Sequence, residues 1–160
     1  MSEPKSLAFR VEYNSRVRAI KTYVDLFCIS SPSKNNGIRI EAVWDTGATN
    51  SVITPNVANQ LILSPIDTVK MIGVNSEGMA PVALVHISLP NNVFLLSRRV
   101  TIAKKIGGGI DMLIGMDIIS LGDFLISNAE QKTSFSFVMP PFPDQPDWVE
   151  RSKQINNGTV

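Results

Sequence analysis

Apolar and polar side chains alternate along several short stretches of this chain. Residues 7–13 (LAFRVEY) and 38–44 (IRIEAVW) show the two-residue period of a half-buried β-strand. Residues 17–29 form another extended run, which follows a turn at Asn14 and Ser15. We therefore predict a hairpin between the first two strands and a third strand over 38–44.

Extended runs also dominate the second half of the chain. Two runs within residues 68–89 flank the polar tip NSEG, which predicts a second hairpin. Further strands are expected at 93–103 and 110–115, and residues 133–139 are expected to form the second arm of a closing hairpin.

Two short helices are predicted between these strands. Thr54 is a typical N-cap and Pro55 suits the first helical position, which predicts a helix over 55–62. A two-turn helix is expected between Gly115 and Gly122. The chain is thus predicted to be all-β with one or two short helices, and its short, evenly spaced strands favour a closed barrel or a sandwich.

The pattern changes after Met139. Four prolines occur within the eight residues 140–147, and little periodicity follows them. We expect one folded domain over residues 1–139 and an extended or disordered, Pro-rich tail over 140–160.

Composition excludes several classes of function. The chain has 160 residues, 18% of them charged, and a formal net charge of +1, so nucleic acid is not an expected partner. No apolar stretch is long enough to span a membrane, and the first ten residues lack the apolar core of a signal peptide. With a single cysteine, Cys28, no intrachain disulfide can form, and we expect a cytoplasmic location.

The remaining chemically active side chains favour structural roles. His86 lies on an alternating strand and is expected to face solvent rather than act as a base. Asp111, Asp117 and Asp123 are expected to cap turns or face solvent. Cys28 sits in an apolar stretch and is expected to pack as a small hydrophobic residue. No metal and no cofactor are therefore predicted.

One segment, EAVWDTGATNSVI at residues 41–53, places a carboxylate and a glycine at the end of an apolar strand. Asp45 follows Val43 and Trp44, and Gly47 allows a tight path that brings amide groups near its carboxylate. Two interpretations are open: a capped turn, or half of an active site. Peptide hydrolysis without a metal can use two close carboxylates that share one proton. Because the chain contains one Asp-Thr-Gly, the second carboxylate would have to come from a second copy.

Three motifs in order resemble the retropepsin family of aspartic proteases, over roughly residues 7–139. They are the Asp-Thr-Gly-Ala segment at 45–48 with its apolar flanks, the hairpin within 68–89 that resembles a substrate-covering flap, and DMLIGMD at 111–117. The resemblance implies a retropepsin-like closed barrel that works as a homodimeric aspartic endopeptidase on peptides or unfolded proteins.

The resemblance also implies roles for individual residues. Asp45, Thr46 and Gly47 would form the catalytic set, with Thr46 bonded across the dimer axis and Gly47 offering its carbonyl to the substrate. Gly115 would let its strand pack closely behind Asp45. The substrate-binding positions would be Ala48, Asn50, Met71, Ile72, Gly73 and Val74.

This chain departs from the retroviral members of the family at two positions. Thr49 and Met116 stand where those members usually carry an acidic residue and an arginine that form an ion pair near the dimer contact. The cellular relatives of the family also lack the pair and carry an extra helix after the first motif, and this chain is more similar to them. A terminal dimer sheet, if present, would have to be built by the N-terminal strand or by residues 133–139, because the Pro-rich tail cannot supply a strand.

Two other functions remain open from the sequence. The chain could be a non-catalytic peptide-binding or dimerisation module that keeps the retropepsin fold, or a protease that processes only itself or a precursor. Whether the protease cleaves other proteins or only itself or a precursor, a monomer would be inactive. Its pH optimum would be mildly acidic, because one proton must stay on the carboxylate pair.

Overall fold

The computed structural model describes residues 5–30, 36–73, 76–104, 106–144 and 146–158. Within these ranges the chain forms ten strands and three short α-helices. The strands are β1 (Leu7–Glu12), β2 (Ile20–Cys28), β3 (Ile38–Trp44), β4 (Val52–Ile53), β5 (Asp67–Gly73), β6 (Ser76–Ser88), β7 (Phe94–Ile102), β8 (Met112–Ile114), β9 (Asp123–Ser127) and β10 (Ser134–Met139). The helices are α1 (Pro55–Gln60), α2 (Met116–Ile119) and α3 (Trp148–Asn156).

Six strands close into a barrel in the order β2-β3-β8-β4-β7-β6, and β6 pairs back onto β2. β5 extends from β6 as the free arm of a long hairpin. β1, β10 and β9 form a separate antiparallel sheet in that order. The prediction of an all-β, closed-barrel fold with short helices is confirmed.

The local signals for the first helix and the hairpin are also found in the structure. Thr54 caps α1 by accepting a hydrogen bond from the Val57 N–H on its Oγ1 at 3.4 Å. The hairpin predicted within 68–89 is present, in register from the Asp67–Val82 pair to the Gly73–Ser76 pair. The last three residues of the predicted tip NSEG belong to β6 instead. Both features depend on neighbouring residues, which explains why the sequence pattern identifies them.

The predicted hairpin between the first two strands is wrong. β1 pairs with β10 along its whole length, from Leu7 opposite Met139 to Glu12 opposite Ser134. The chain after β1 continues along the same partner, because the Tyr13 N–H donates to the Thr133 carbonyl at 2.9 Å. β1 and β2 therefore belong to different sheets.

The end of the chain also differs from the expected extended tail. α3 begins after Asp147, whose side chain accepts a hydrogen bond from the Glu150 N–H at 2.8 Å. The prolines end at Pro146, so nothing prevents a helix beyond that point. None of the side chains of α3 is buried.

Candidate active site

Asp45 is the first residue after β3, and its carboxylate is held by the backbone that follows. The Asp45 N–H donates to the Ile114 carbonyl at 2.9 Å, which fixes the start of the loop to β8. The Gly47 N–H donates to Asp45 Oδ1 at 2.8 Å. The side chain of Asp45 is half-buried, whereas Thr46 and Gly47 are exposed. The loop thus presents one oriented carboxylate on the surface of a single chain.

The strand that carries Asp45 is anchored in an aromatic cluster. Trp44 is 5% exposed, and its ring centroid lies 4.9 Å from Phe137 and 5.1 Å from Phe135. Its Nε1 donates to Thr22 Oγ1 at 2.9 Å, so the polar atom of the indole is satisfied inside the core. Because this packing leaves Trp44 little freedom to move, it also fixes the backbone position of the adjacent Asp45.

The loop after Asp45 is bonded to the turn between β8 and α2. The Met116 N–H donates to the Ala48 carbonyl at 2.8 Å, and the Asp117 N–H donates to the Thr49 carbonyl at 3.2 Å. These bonds join the first predicted motif to the third, although the two are far apart in the sequence. The backbone of α2 therefore holds the loop that carries the candidate catalytic residue.

A buried serine adds a second connection that sequence reasoning missed. Ser51 is fully buried; its Oγ donates to Asp117 Oδ1 at 2.8 Å and accepts from the Gly115 N–H at 3.1 Å. Asp117 is thus a loop-supporting residue rather than a solvent-facing cap. The signal in the sequence was a lone serine before the apolar pair Val52–Ile53. Its partner lies 66 residues away and could not be identified from spacing.

Gly115 lies against the backbone of the catalytic loop. A Cβ at this position would stand 2.7 Å from the Asn50 carbonyl carbon and 2.8 Å from the Ala48 oxygen. Both atoms belong to the main chain, which cannot move aside as a flexible side chain can. The close packing that the resemblance implied for Gly115 is present.

The hairpin of β5 and β6 separates the predicted substrate-binding residues onto two faces. Met71 and Gly73 share the parity of Val69, which pairs with the buried Ala80, so they lie on the face turned to the body. Ile72 lies on the opposite face and is 74% exposed. The cross-strand pattern therefore does not bring Ile72 together with Met71.

The outer face of this hairpin also carries charged side chains. The outer face, which carries Ile72, also carries the ion pair between Lys70 and Glu77, with Nζ and Oε2 3.0 Å apart. Val74, the remaining substrate-binding prediction, lies outside the described residues. The inner face of the hairpin thus carries Val69 and Met71, and the outer face mixes this ion pair with the exposed side chains of Ile72 and Met79.

One cavity joins the catalytic loop to the base of this hairpin. It has a volume of about 340 Å³ and lies between Asn50 of the loop and Val69 of β5. At its rim, Arg99 Nη2 lies 2.6 Å from Asp67 Oδ2. This hydrogen bond, with one from the Thr68 N–H, holds the pKa of the Asp67 carboxyl below its ordinary value of 3.8. Asn50 and the inner face of the hairpin thus border the same space.

His86 does not face solvent, which corrects the expectation from strand alternation. It is 8% exposed, and its Nδ1 accepts a hydrogen bond from the Ser97 N–H at 2.9 Å. The ladder between β6 and β7 shifts register between Val85 and Ile87, and the extra residue lies in β7. The alternation of β6 is kept: Val85 and Ile87 belong to the hydrophobic core, and His86 lies on the opposite face. Its ring nitrogen supports the fold, and it contacts Phe94 with centroids 5.6 Å apart.

The described residues contain no cluster of three or more side chains of the types that bind metals. In the same part of the chain, no helix has the length and apolar character needed to cross a bilayer. Cys28 is half-buried, and its Sγ lies 3.0 Å from Ser30 Oγ.

Comparison with known protein families identifies the family of this chain. The family model described as aspartyl protease matches residues 32–118, a span that includes the Asp45 loop, the hairpin and β8 with α2. The chain belongs to the aspartyl protease family. A search of curated proteins finds no match.

Solved structures of other aspartyl proteases support the fold of this family member. The chain is similar to the EIAV protease, solved in complex with the inhibitor HBY-793, with 21% identity and a TM-score of 0.51 over 69% of this chain and 92% of that one. It is also similar to a retropepsin-like aspartic protease from Rickettsia conorii, with 16% identity and a TM-score of 0.53 over 87% of this chain and 98% of that one. The fold is therefore retropepsin-like.

Proposed function

We propose that this chain is a homodimeric aspartic endopeptidase in which Asp45 and its symmetry mate form the catalytic pair. The observation that carries this proposal is the Asp45 loop itself. One carboxylate is oriented by the Gly47 N–H at 2.8 Å, at the end of a strand fixed by buried packing, in a chain of the aspartyl protease family. One chain supplies one such carboxylate, so the site is complete only in a pair of chains.

In this mechanism the two carboxylates share one proton, because two negative charges so close together cannot both persist. The ionised carboxylate removes a proton from a water molecule, whose oxygen attacks the peptide carbonyl carbon. The protonated carboxyl gives its proton to the carbonyl oxygen, forming a neutral tetrahedral diol. Collapse of the diol breaks the C–N bond, with one proton passing to the leaving amine and one returning to the pair.

The neighbouring residues would orient the substrate and the loops. Thr46 would bond across the dimer axis, and the Gly47 carbonyl would accept a hydrogen bond from an extended peptide. Ala48 would border the channel beside them. The inner face of the hairpin, with Met71 and Gly73, would add strand-like contacts to the peptide. An apolar side chain near the scissile bond suits this lining.

Replacement of Asp45 by asparagine is the direct test. Asparagine keeps an oxygen that can accept the Gly47 N–H, so fold and dimer should persist, while peptide cleavage should fall at least about a thousandfold. Cleavage of a mixed peptide library between pH 3 and 7, with and without pepstatin, measures the activity, and light scattering measures the mass. Activity that survives in the variant would reject the mechanism.

The same experiment distinguishes the proposed protease from a non-catalytic module. A wild-type chain that is monomeric and cleaves nothing across that pH range would be a binding module with a retropepsin-like fold. Mass spectrometry of the purified chain tests the self-processing alternative by looking for clipped ends, first within residues 140–160, which we propose as a tail on the 1–139 catalytic domain.

A further inference from the structure

The cavity at the base of the hairpin borders both the catalytic loop and the hairpin, and its walls are partly polar and partly apolar. Asn50 and Asp117 lie on the side of the loop and α2, and Val69 and Val82 lie on the side of the hairpin. An extended peptide between the loop and the inner face of the hairpin would turn every second side chain to the same side. One of these side chains would enter the cavity, whose volume is about 340 Å³.

The two arginines that border this cavity do not supply it with a free positive charge. Arg98 pairs with Val85 of the hydrophobic core, so its side chain leaves β7 on the core side. Arg99 has the parity of Thr101, which lines the cavity, and therefore lies on the cavity side. Its Nη2 is 2.6 Å from Asp67 Oδ2, so this pair carries no net charge.

Asp117 is the charge of this cavity that no cation balances. It is half-buried, and its Oδ1 accepts a hydrogen bond from the neutral Ser51 hydroxyl at 2.8 Å. In the described part of the chain, the ion pairs found do not include Asp117. A carboxylate that has lost part of its hydration gains from a positively charged hydrogen-bond donor. The cavity therefore favours a cation over an anion.

We propose that this cavity accepts a lysine or arginine side chain of the substrate, and that Asp117 determines this preference. The inference rests on the proposed function, because it assigns a substrate class to the same cleft. The methylene stem of the basic residue would pack against Val69 and Val82, and its charged end would donate to the Asp117 carboxylate and to the Asn50 side-chain oxygen. A glutamate at the same substrate position would be repelled.

Cleavage of a mixed peptide library by the wild-type chain measures the preference directly. Mass spectrometry of the products should show lysine and arginine enriched at one fixed distance from the cut. Matched peptides with lysine, glutamine or glutamate at that position then give the size of the effect. We expect kcat/KM to be about tenfold higher for lysine than for glutamine, because a hydrogen bond to a charged group is gained, and to be lowest for glutamate.

Asp117→Asn tests the residue, because it removes the charge and keeps an oxygen that can accept from the Ser51 hydroxyl. The lysine peptide should lose its roughly tenfold advantage, while the glutamine peptide is cleaved as by the wild type. Asp25→Asn is the matched control: Asp25 pairs with Ser88, about 20 Å along β6 from Val82, and its loss should leave the advantage unchanged. An unchanged ratio of lysine to glutamine cleavage in Asp117→Asn, or a wild type that prefers glutamate, would overturn the inference.

Peptide binding measured without cleavage separates this inference from the proposed function. The Asp45→Asn chain, applied to an array of immobilised peptides, should bind those with lysine or arginine preferentially, and the double variant with Asp117→Asn should not. This result together with a wild type that cleaves no peptide would keep the basic-residue site and reject the protease activity. Binding with no preference for basic residues, in a wild type that does cleave, would reject the site and keep the protease.

Discussion

Gly115→Ala tests whether the close approach of the β8–α2 turn to the catalytic loop is needed. The new Cβ would lie 2.7 Å from the Asn50 carbonyl carbon and 2.8 Å from the Ala48 oxygen, and contacts under 3.0 Å are essentially never seen at real Cβ atoms. The backbone at Gly115 has φ −94° and ψ −174°, which alanine adopts readily. The perturbation is therefore steric and acts on the loop, not on the conformation of residue 115.

The expected change in unfolding free energy follows from two opposing effects. Overpacking against main-chain atoms costs about 1–3 kcal/mol of unfolding free energy. Replacing glycine by alanine restricts the unfolded chain and returns about 0.4–1 kcal/mol. The expected net loss is therefore at most about 2.6 kcal/mol, and Gly115→Ala should be about 1–3 kcal/mol less stable than an alanine substitution without the clash. Because a 1 Å displacement of catalytic groups can cost about a hundredfold in rate, a shift of several tenths of an ångström should lower kcat/KM about tenfold.

Urea unfolding measures the first quantity, and peptide cleavage at the pH optimum measures the second. Gly107→Ala is the matched control, because a Cβ there meets no atom within 4 Å. It should leave activity unchanged and stability equal or slightly raised. If Gly115→Ala matched Gly107→Ala in both measurements, the turn would not be packed against the loop as described.

Two further predictions concern the supports of the site. Ser51→Ala should lower the unfolding free energy by about 1–3 kcal/mol, because the buried Gly115 N–H and Asp117 Oδ1 lose their partner. It should also reduce kcat more than it changes KM. Asp117→Asn keeps an acceptor oxygen and is the control, and equal losses of stability and kcat in both variants would contradict this reading. For Asp67, a lowered pKa means that its ion pair with Arg99 stabilises the fold above pH 3.8, the ordinary value, and that this contribution disappears as pH falls through the lower folded-state value. Thermal melting should therefore show the same difference between wild type and Asp67→Asn at pH 5 and pH 7 and a smaller difference below pH 3; a difference that vanishes by pH 5 would contradict the direction of the shift.

Local sequence signals predicted the parts of the fold that depend on neighbouring residues. The Thr54 cap, the alternation of β3 and the hairpin of β5 and β6 each involve residues close in the chain. The pairing of β1 with β10 joins residues more than a hundred positions apart, and no local pattern encodes it. The turn at Asn14 and Ser15 gave a misleading signal for a hairpin, because a turn also occurs where a chain leaves one sheet for another.

The candidate site likewise combines local contacts, which the sequence predicts, with contacts between distant parts of the chain, which it does not. Asp45 and Gly47 lie within three residues, so the bond between them is a property of the loop and was foreseen in outline. The bond from Ser51 to Asp117 depends on how the barrel brings α2 behind the loop. The alternation of β6 places His86 on the face opposite the core, and its burial depends on Phe94 and Ser97, which both come from β7. A buried polar residue in a strand is difficult to predict when its partner comes from the neighbouring strand.

The two faces of the hairpin show where strict use of alternation would have improved the prediction. The family resemblance assigns residues 71–74 together to substrate binding, and the two-residue period of a strand places Met71 and Ile72 on opposite faces. Pairing of Val69 with the buried Ala80 identifies the inner face, and Met71 shares it. Specificity contributed by the arm of this hairpin should therefore come from Met71 more than from Ile72, whose exposed side chain is turned to the outer surface. In the proposed function, the inner face of the hairpin, with Met71, is the one that would contact a bound peptide.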